Sequence, residues 1–173
     1  MRKLWLVGLM LLFLTGCGAQ ETLETVGDVY VQPVSAPLRQ IVLSLPVDAT
    51  VTAMTSETAG SLYLCDGYTI TVQTLEAGDL DKTLLSTTGY GKNGLRLVES
   101  FRGNAKRYDC VWTAAGEGED QVGRACILDD GSFHYVVSVM AGQSRSGELQ
   151  PVWQDIFDSF RLADPSIEFN TGS

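Results

Sequence analysis

Few residues in this sequence are of a type that could carry chemistry. There is one histidine, His134, and three cysteines lie in the body of the chain, Cys65, Cys110 and Cys126. A catalytic histidine needs a nucleophile within reach, such as Cys110 or a serine, and an acid to orient it. No G-x-S-x-G elbow or cysteine-protease signature surrounds any candidate, so His134 reads as a sheet-face residue bonded to a neighbour. With one histidine and no C-x-x-C pair, zinc is not indicated. The loop Gly116-Glu117-Gly118-Glu119-Asp120 gathers three carboxylates. It lacks the calcium-loop pattern and reads as a solvated hairpin loop. Asp129-Asp130-Gly131 reads as turn chemistry, and Asp79 with Asp81 as helix-start charge. Arg102, Lys106 and Arg107 form the one basic cluster; a solvated turn is favoured there over a dock for an anionic wall polymer. No phosphate loop or dinucleotide fingerprint is present. The expectation is a protein without catalytic residues, metal or cofactor.

These residues sit on a mostly strand-like domain, expected over 28–164. Asp28–Val31 and Arg39–Leu43 are short strands punctuated by Pro33, Pro37 and Pro46. Ser61–Cys65 and Tyr68–Leu75 flank Asp66-Gly67, a hairpin signal. Asp79–Ser86 reads as a short helix capped by Asp79 and stopped by Gly89. Leu95–Phe101, Lys106–Ala114, Gln121–Leu128 and Ser132–Met140 follow as a four-stranded meander. In the last helix Leu149, Val152, Trp153, Ile156, Phe157 and Phe160 form one apolar stripe, with Glu148 and Pro151 in its first turn and Arg161 in its last. The fold class is α+β: an antiparallel sheet with a C-terminal amphipathic helix and a short helix packed on it.

Register decides which groups meet. Centring the third hairpin on Gly118 places Cys110 opposite Cys126. A two-residue turn at Asp130-Gly131 then puts Phe133, Tyr135, Val137 and Val139 on the face of Tyr108, Cys110 and Trp112, the face expected beneath the C-terminal helix. Cys110–Cys126 is then within disulfide range, against the alternative of small buried hydrophobes. A turn of different parity inverts the faces.

The chain has 173 residues and a net charge of −9. That acidity argues against nucleic acid as a partner. Met1-Arg2-Lys3 is a positive segment, and Leu4–Leu14 is apolar but too short to span a bilayer, so it reads as a signal peptide. Leu14-Thr15-Gly16-Cys17 resembles the lipobox of bacterial lipoproteins. That resemblance implies cleavage of residues 1–16, diacylglycerol modification of Cys17 and a lipid anchor in the membrane. Loss of Arg2 and Lys3 would leave 157 residues with a net charge of −11. Residues 17–27 then form the lipidated cysteine and a tether, and 165–173 a flexible tail.

Several segments in order carry a wider resemblance: Gly67-Tyr68 with the Thr-Ile-Thr-Val that follows, Arg107-Tyr108-Asp109, Trp112–Glu117, Leu128–Tyr135, and Trp153 to the closing Asp158-Ser159-Phe160. Over residues 28–162 the pattern resembles small bacterial lipoproteins of uncharacterised function, mostly of Gram-positive type, whose domain looks like the PsbP-like fold. The resemblance implies a non-enzymatic accessory or interaction module on the extracytoplasmic face of the cell membrane, with a protein or envelope partner. It carries no functional residue set. A small-ligand-binding lipoprotein with a pocket between sheet and C-terminal helix is the alternative, and an envelope hydrolase using His134 or clustered carboxylates is the third reading.

Overall fold

A computed structural model describes residues 37–53 and 60–163. The expected strand at Asp28–Val31, the tether with Cys17 and the tail from 165 lie outside the described residues. The strands are β1 (Ile41–Val42), β2 (Thr50–Ala53), β3 (Gly60–Cys65), β4 (Tyr68–Glu76), β5 (Arg96–Arg102), β6 (Ala105–Ala114), β7 (Gln121–Asp129), β8 (Phe133–Gly142) and β9 (Arg161–Leu162). The helices are α1 (Leu80–Thr88) and α2 (Gln143–Ser159). Seven strands form one antiparallel sheet in the order β2-β3-β4-β8-β7-β6-β5, while β1 pairs with β9. After β4 the chain crosses through α1 to the far edge. It then returns by three hairpins until β8 pairs with β4.

Each local signal has a visible cause. Asp66-Gly67 closes a two-residue turn with Cys65 opposite Tyr68, and Gly67 takes φ +79, which a side chain would resist. Asp79 caps α1 by accepting from the Asp81 N–H, and left-handed Gly89 ends it.

The two faces of the sheet carry separate cores. On one face α2 lays Leu149, Trp153, Ile156 and Phe157, with Phe160 at its C-cap, over Ile70, Cys126, Leu128, Tyr135, Val137 and Val139. Each large ring buries about 150–250 Å², worth roughly 4–6 kcal/mol before ordering entropy is subtracted. On the other face α1 brings Leu84 onto Tyr108, Cys110, Trp112, Ala125, Ile127 and Val136.

The faces differ from the expected assignment. Tyr135, Val137 and Val139 do lie beneath the C-terminal helix, but Tyr108, Cys110 and Trp112 lie on the opposite face, beneath α1. The slip is at the β6–β7 loop: Ala114 pairs with Gln121, so the loop has an even number of residues and does not centre on Gly118. Cys110 therefore faces Ala125, and Cys126 faces Asp109. Successive strand residues point to opposite faces, so the two thiols are separated by the sheet. All three described cysteines are free, and the expected Cys110–Cys126 bridge does not fit this register.

α2 also begins six residues before Leu149. Pro151 is interior to the helix rather than in its first turn, and Arg161 belongs to β9. Gln143–Gly147 has no apolar period to announce a helix. Glu119 supplies the missing cap from the β6–β7 loop: its carboxylate accepts from the Ser144 N–H at 3.0 Å and from the Ser144 hydroxyl at 3.1 Å.

Candidate functional site

The β4 sequence Tyr-Thr-Ile-Thr-Val-Gln alternates strictly. Tyr68, Ile70 and Val72 turn toward α2, which leaves Thr69, Thr71 and Gln73 on the α1 face. Register aligns Thr69 with Met140 and Thr71 with Ser138, and in the next rows Gly123 with Met140 and with Trp112. α1 is only nine residues long. Its Leu84 covers the β6–β8 part of this face, leaving the polar strip of β4 and β8 uncovered. The result is a cleft of about 260 Å³ lined by Thr69, Thr71, Gln73, Ser86, Thr87, Trp112, Ser138 and Met140, with no ionisable side chain among its walls.

Two atoms in this wall are unusual. The Trp112 indole is 5% exposed, and its Nε1–H has no protein partner; Thr87 Oγ1 is likewise buried without one. A buried polar group left unpaired costs about 1–3 kcal/mol. Among the described residues only Trp153 Nε1 shares this condition, and it lies in the α2 core. Gly123 explains the indole position: a Cβ there would fall within 2.8 Å of Trp112 Cε2, Cζ2 and Cη2.

A second concavity, about 280 Å³, lies on the α2 face between the helix and the β5 edge. Arg96, Val98, Asp109, Cys110, Val111, Arg124 and Gln150 line it, Asp109 being paired with Arg107. Here β5 is an edge strand, and Val98 and Val111 are 58% and 56% exposed. Arg96 and Arg124 flank the apolar floor. Phe101 projects from the same edge strand on the opposite face, 71% exposed.

His134 is placed differently from a catalytic base. Its side chain is 2% exposed. Nδ1 lies 2.7 Å from Thr83 Oγ1 of α1, and Nε2 lies 3.9 Å from Asp129 Oδ2. The carboxylate favours the proton on Nε2, leaving Nδ1 to accept from Thr83. Burial lowers the imidazole pKa below its ordinary value, partly opposed by Asp129 and Asp130. Thr83 is itself buried. The pair ties α1 to β8.

The other sequence candidates are mostly spent on structure. In Asp129-Asp130-Gly131, Asp129 accepts from the Gly131 N–H, while Asp130 accepts from Ser132, Phe133 and the Tyr135 hydroxyl. Arg107 pairs with Asp109 at 2.6 Å, and Arg102 donates to the Asp158 carbonyl. The basic cluster is thereby divided between two structural contacts and Lys106. Burial pushes the Cys110 thiol up to about 11 and Cys126 to about 12, so neither is a nucleophile at neutral pH. Among the described residues no three potential ligands gather for a metal. Sequence reasoning missed the cleft. Its signal was the Thr69-Thr71-Gln73 alternation in an interior strand, a row of polar residues where a fully buried strand carries aliphatics.

No protein-family model matches the chain, and no curated protein does. Solved structures do match. The cyanobacterial PsbP (CyanoP) of Synechocystis sp. PCC 6803 has a TM-score of 0.53 at 8% identity, over 74% of this chain and 95% of its own. LpqN of Mycobacterium tuberculosis, involved in cell envelope biogenesis, has a TM-score of 0.50 at 13% identity, over 73% and 85%. A Bacteroides thetaiotaomicron protein has a TM-score of 0.52 at 10% identity, over 75% of this chain, which spans about half of that protein's length, 47%. At such identities the likeness is one of fold, and the fold is PsbP-like.

Proposed function

We propose that this chain is an extracytoplasmic lipoprotein, held to the membrane by lipid on Cys17, whose PsbP-like domain is a non-enzymatic module that docks a protein partner. The Leu14-Thr15-Gly16-Cys17 pattern supports the anchor. Two acyl chains give stable attachment where one does not. A surface this acidic would stand off anionic headgroups rather than lie on them. The burial of His134 and the raised thiols support a non-enzymatic reading, and the involvement of LpqN in cell envelope biogenesis is in keeping with it.

The observation that carries the docking reading is the groove at the β5 edge. Val98 and Val111 are large and exposed, the edge strand leaves backbone donors and acceptors unpaired, and Arg96 and Arg124 stand beside them. That chemistry fits an extended segment of a partner protein presenting an apolar side chain next to a carboxylate. The test is in-cell photocrosslinking from positions 98 and 111, with exposed Leu85 on α1 as the control. One defined adduct from 98 and 111, absent from 85, is expected, the one from 111 being lost in Val98→Glu. Equal adducts from all three positions, or none from 98 and 111, would overturn it. Cys17→Ala should release the protein from the membrane fraction and abolish acyl labelling.

The cleft beneath α1 favours a second reading, that the domain also holds a small ligand. It lies on the opposite face from the sheet–C-terminal-helix pocket expected of such a lipoprotein.

A further inference from the structure

We infer that the cleft between α1 and the β4–β8 strip binds an uncharged polyhydroxylated ligand, a single sugar ring or a polyol of that size. The inference rests on the small-ligand reading and is independent of the β5 groove, which is on the other face of the sheet. Three properties of the cleft lead to it.

First, the lining is polar without being charged. Thr69, Thr71, Gln73, Thr87 and Ser138 surround the space, and none of the walls is ionisable. A phosphate or carboxylate ligand would meet no cation there. A hydroxyl, by contrast, both donates and accepts, and so do the hydroxyl and amide groups of these side chains. Second, the donor Trp112 Nε1–H and the Thr87 hydroxyl are buried and have no protein partner. Trp112 is 95% removed from solvent, and native structures rarely leave such a group unpaired. Neither atom is open to solvent, so a ligand oxygen would pair them as the Trp112 and Thr87 side chains shift toward the cleft. Third, size and balance fit. The 260 Å³ of space lies just below the roughly 300–1,000 Å³ of sites for drug-sized ligands. It equals the liquid volume of about nine waters, which suits one ring with its hydroxyls. Met140 adds an apolar wall for the carbon–hydrogen face of such a ring.

A sugar of this kind could be free or could be one unit of an envelope polymer. The shared chemistry is the uncharged ring, and the experiment separates the sources. The full chain, its tryptophans labelled with ¹⁵N, is held in a detergent without a sugar headgroup. After cleavage before Cys17 its indole N–H signals come from Trp112 and Trp153, with Trp5 adding a third only in the unprocessed chain, and they are assigned with Trp→Phe variants. Glucose, N-acetylglucosamine and a β-1,4-linked N-acetylglucosamine tetramer are titrated in turn, with glucuronate as the charged control. The expected result is a saturable shift of the Trp112 signal by at least one uncharged sugar, with the equally partnerless Trp153 indole unmoved. Thr71→Val and Ser138→Ala should each weaken that binding by about three- to ten-fold while leaving the Trp153 signal in place as a measure of folding. A tetramer binding as tightly as the single ring points to a polymer-borne sugar, and binding of the single ring alone to a free one. Either supports the ligand class. The inference is overturned if no sugar moves the Trp112 signal and that proton contacts only water, if glucuronate binds as well as glucose, or if the variants bind unchanged.

Discussion

The contact between Trp112 and Gly123 can be tested to a number. The two residues are directly opposed on β6 and β7, and the indole occupies the space a side chain at 123 would take. In Gly123→Ala the new methyl would lie within 2.8 Å of three ring carbons of a side chain that is 5% exposed. The ring has little room to retreat except toward the cleft. Overpacking of this kind costs about 1–3 kcal/mol, and the reduced freedom of the unfolded chain returns about 0.4–1 kcal/mol. The net loss should be about 1–2 kcal/mol, or roughly 4–8 °C in Tm for a domain of this size. Urea unfolding and calorimetry would measure it, and a double-mutant cycle isolates its cause. In a Trp112→Leu background the clash is gone, so adding Gly123→Ala should cost nearly nothing, giving a coupling of about 1–2 kcal/mol. The reasoning fails if Gly123→Ala leaves Tm unchanged, or if it costs as much without the indole as with it.

Three further outcomes follow from the cores. Trp153→Ala should cost about 3–5 kcal/mol in urea unfolding, whereas Trp153→Phe should cost much less, because it also removes an indole N–H that has no partner; equal losses would contradict this. His134 has a folded pKa below the roughly 6.5 of an unfolded histidine, so its stabilising effect is full above that pH and is lost as the pH falls and the unfolded chain takes up the proton first. Unfolding curves at pH 7.5 and 5.5 should therefore converge between the native protein and His134→Gln at the lower pH; parallel curves would rule the mechanism out. With their thiols pushed up to about 11 and 12, Cys110 and Cys126 should resist maleimide at pH 7.5 until the domain unfolds, and mild oxidant should leave them unlinked. A bridged peptide in the mass spectrum would refute the register itself.

Elements governed by local chemistry were legible in the sequence. The Asp66-Gly67 turn, the Asp79 cap, the four-strand return from β5 to β8 and the Trp153–Phe160 stripe follow from neighbours a few residues apart. What escaped depended on distant partners. The first six residues of α2 have no apolar period, and their cap, Glu119, lies 25 residues from Ser144. The faces of β6 hinged on the parity of one glycine- and acid-rich loop, which no side-chain pattern within the loop reveals. That error carried Tyr108, Cys110 and Trp112 to the wrong side and hid the cleft, because the cleft exists only where Trp112 meets Thr69, Thr71 and Ser138. The short strand β9 was invisible because it is stabilised by pairing with β1, more than a hundred residues away.

Arg39 stands near the N-terminal end of the described domain. The Arg39 N–H donates to the Tyr135 hydroxyl, its Nε and Nη2 to the Ala163 carbonyl, and its Nη1 to Asn104 Oδ1. One residue is thus fastened to β8, to the end of β9 and to the β5–β6 turn. Cys17 and Arg39 stand 22 residues apart, a contour of at most about 75–80 Å. If the protein hangs from lipid at Cys17, any tension between membrane and partner enters the domain at Arg39. It is shared among three distant parts of the chain before it can peel the two-residue strand β1 from β9. Arg39 would then serve as a mechanical clamp, and its replacement should lower the force at which the domain begins to unravel.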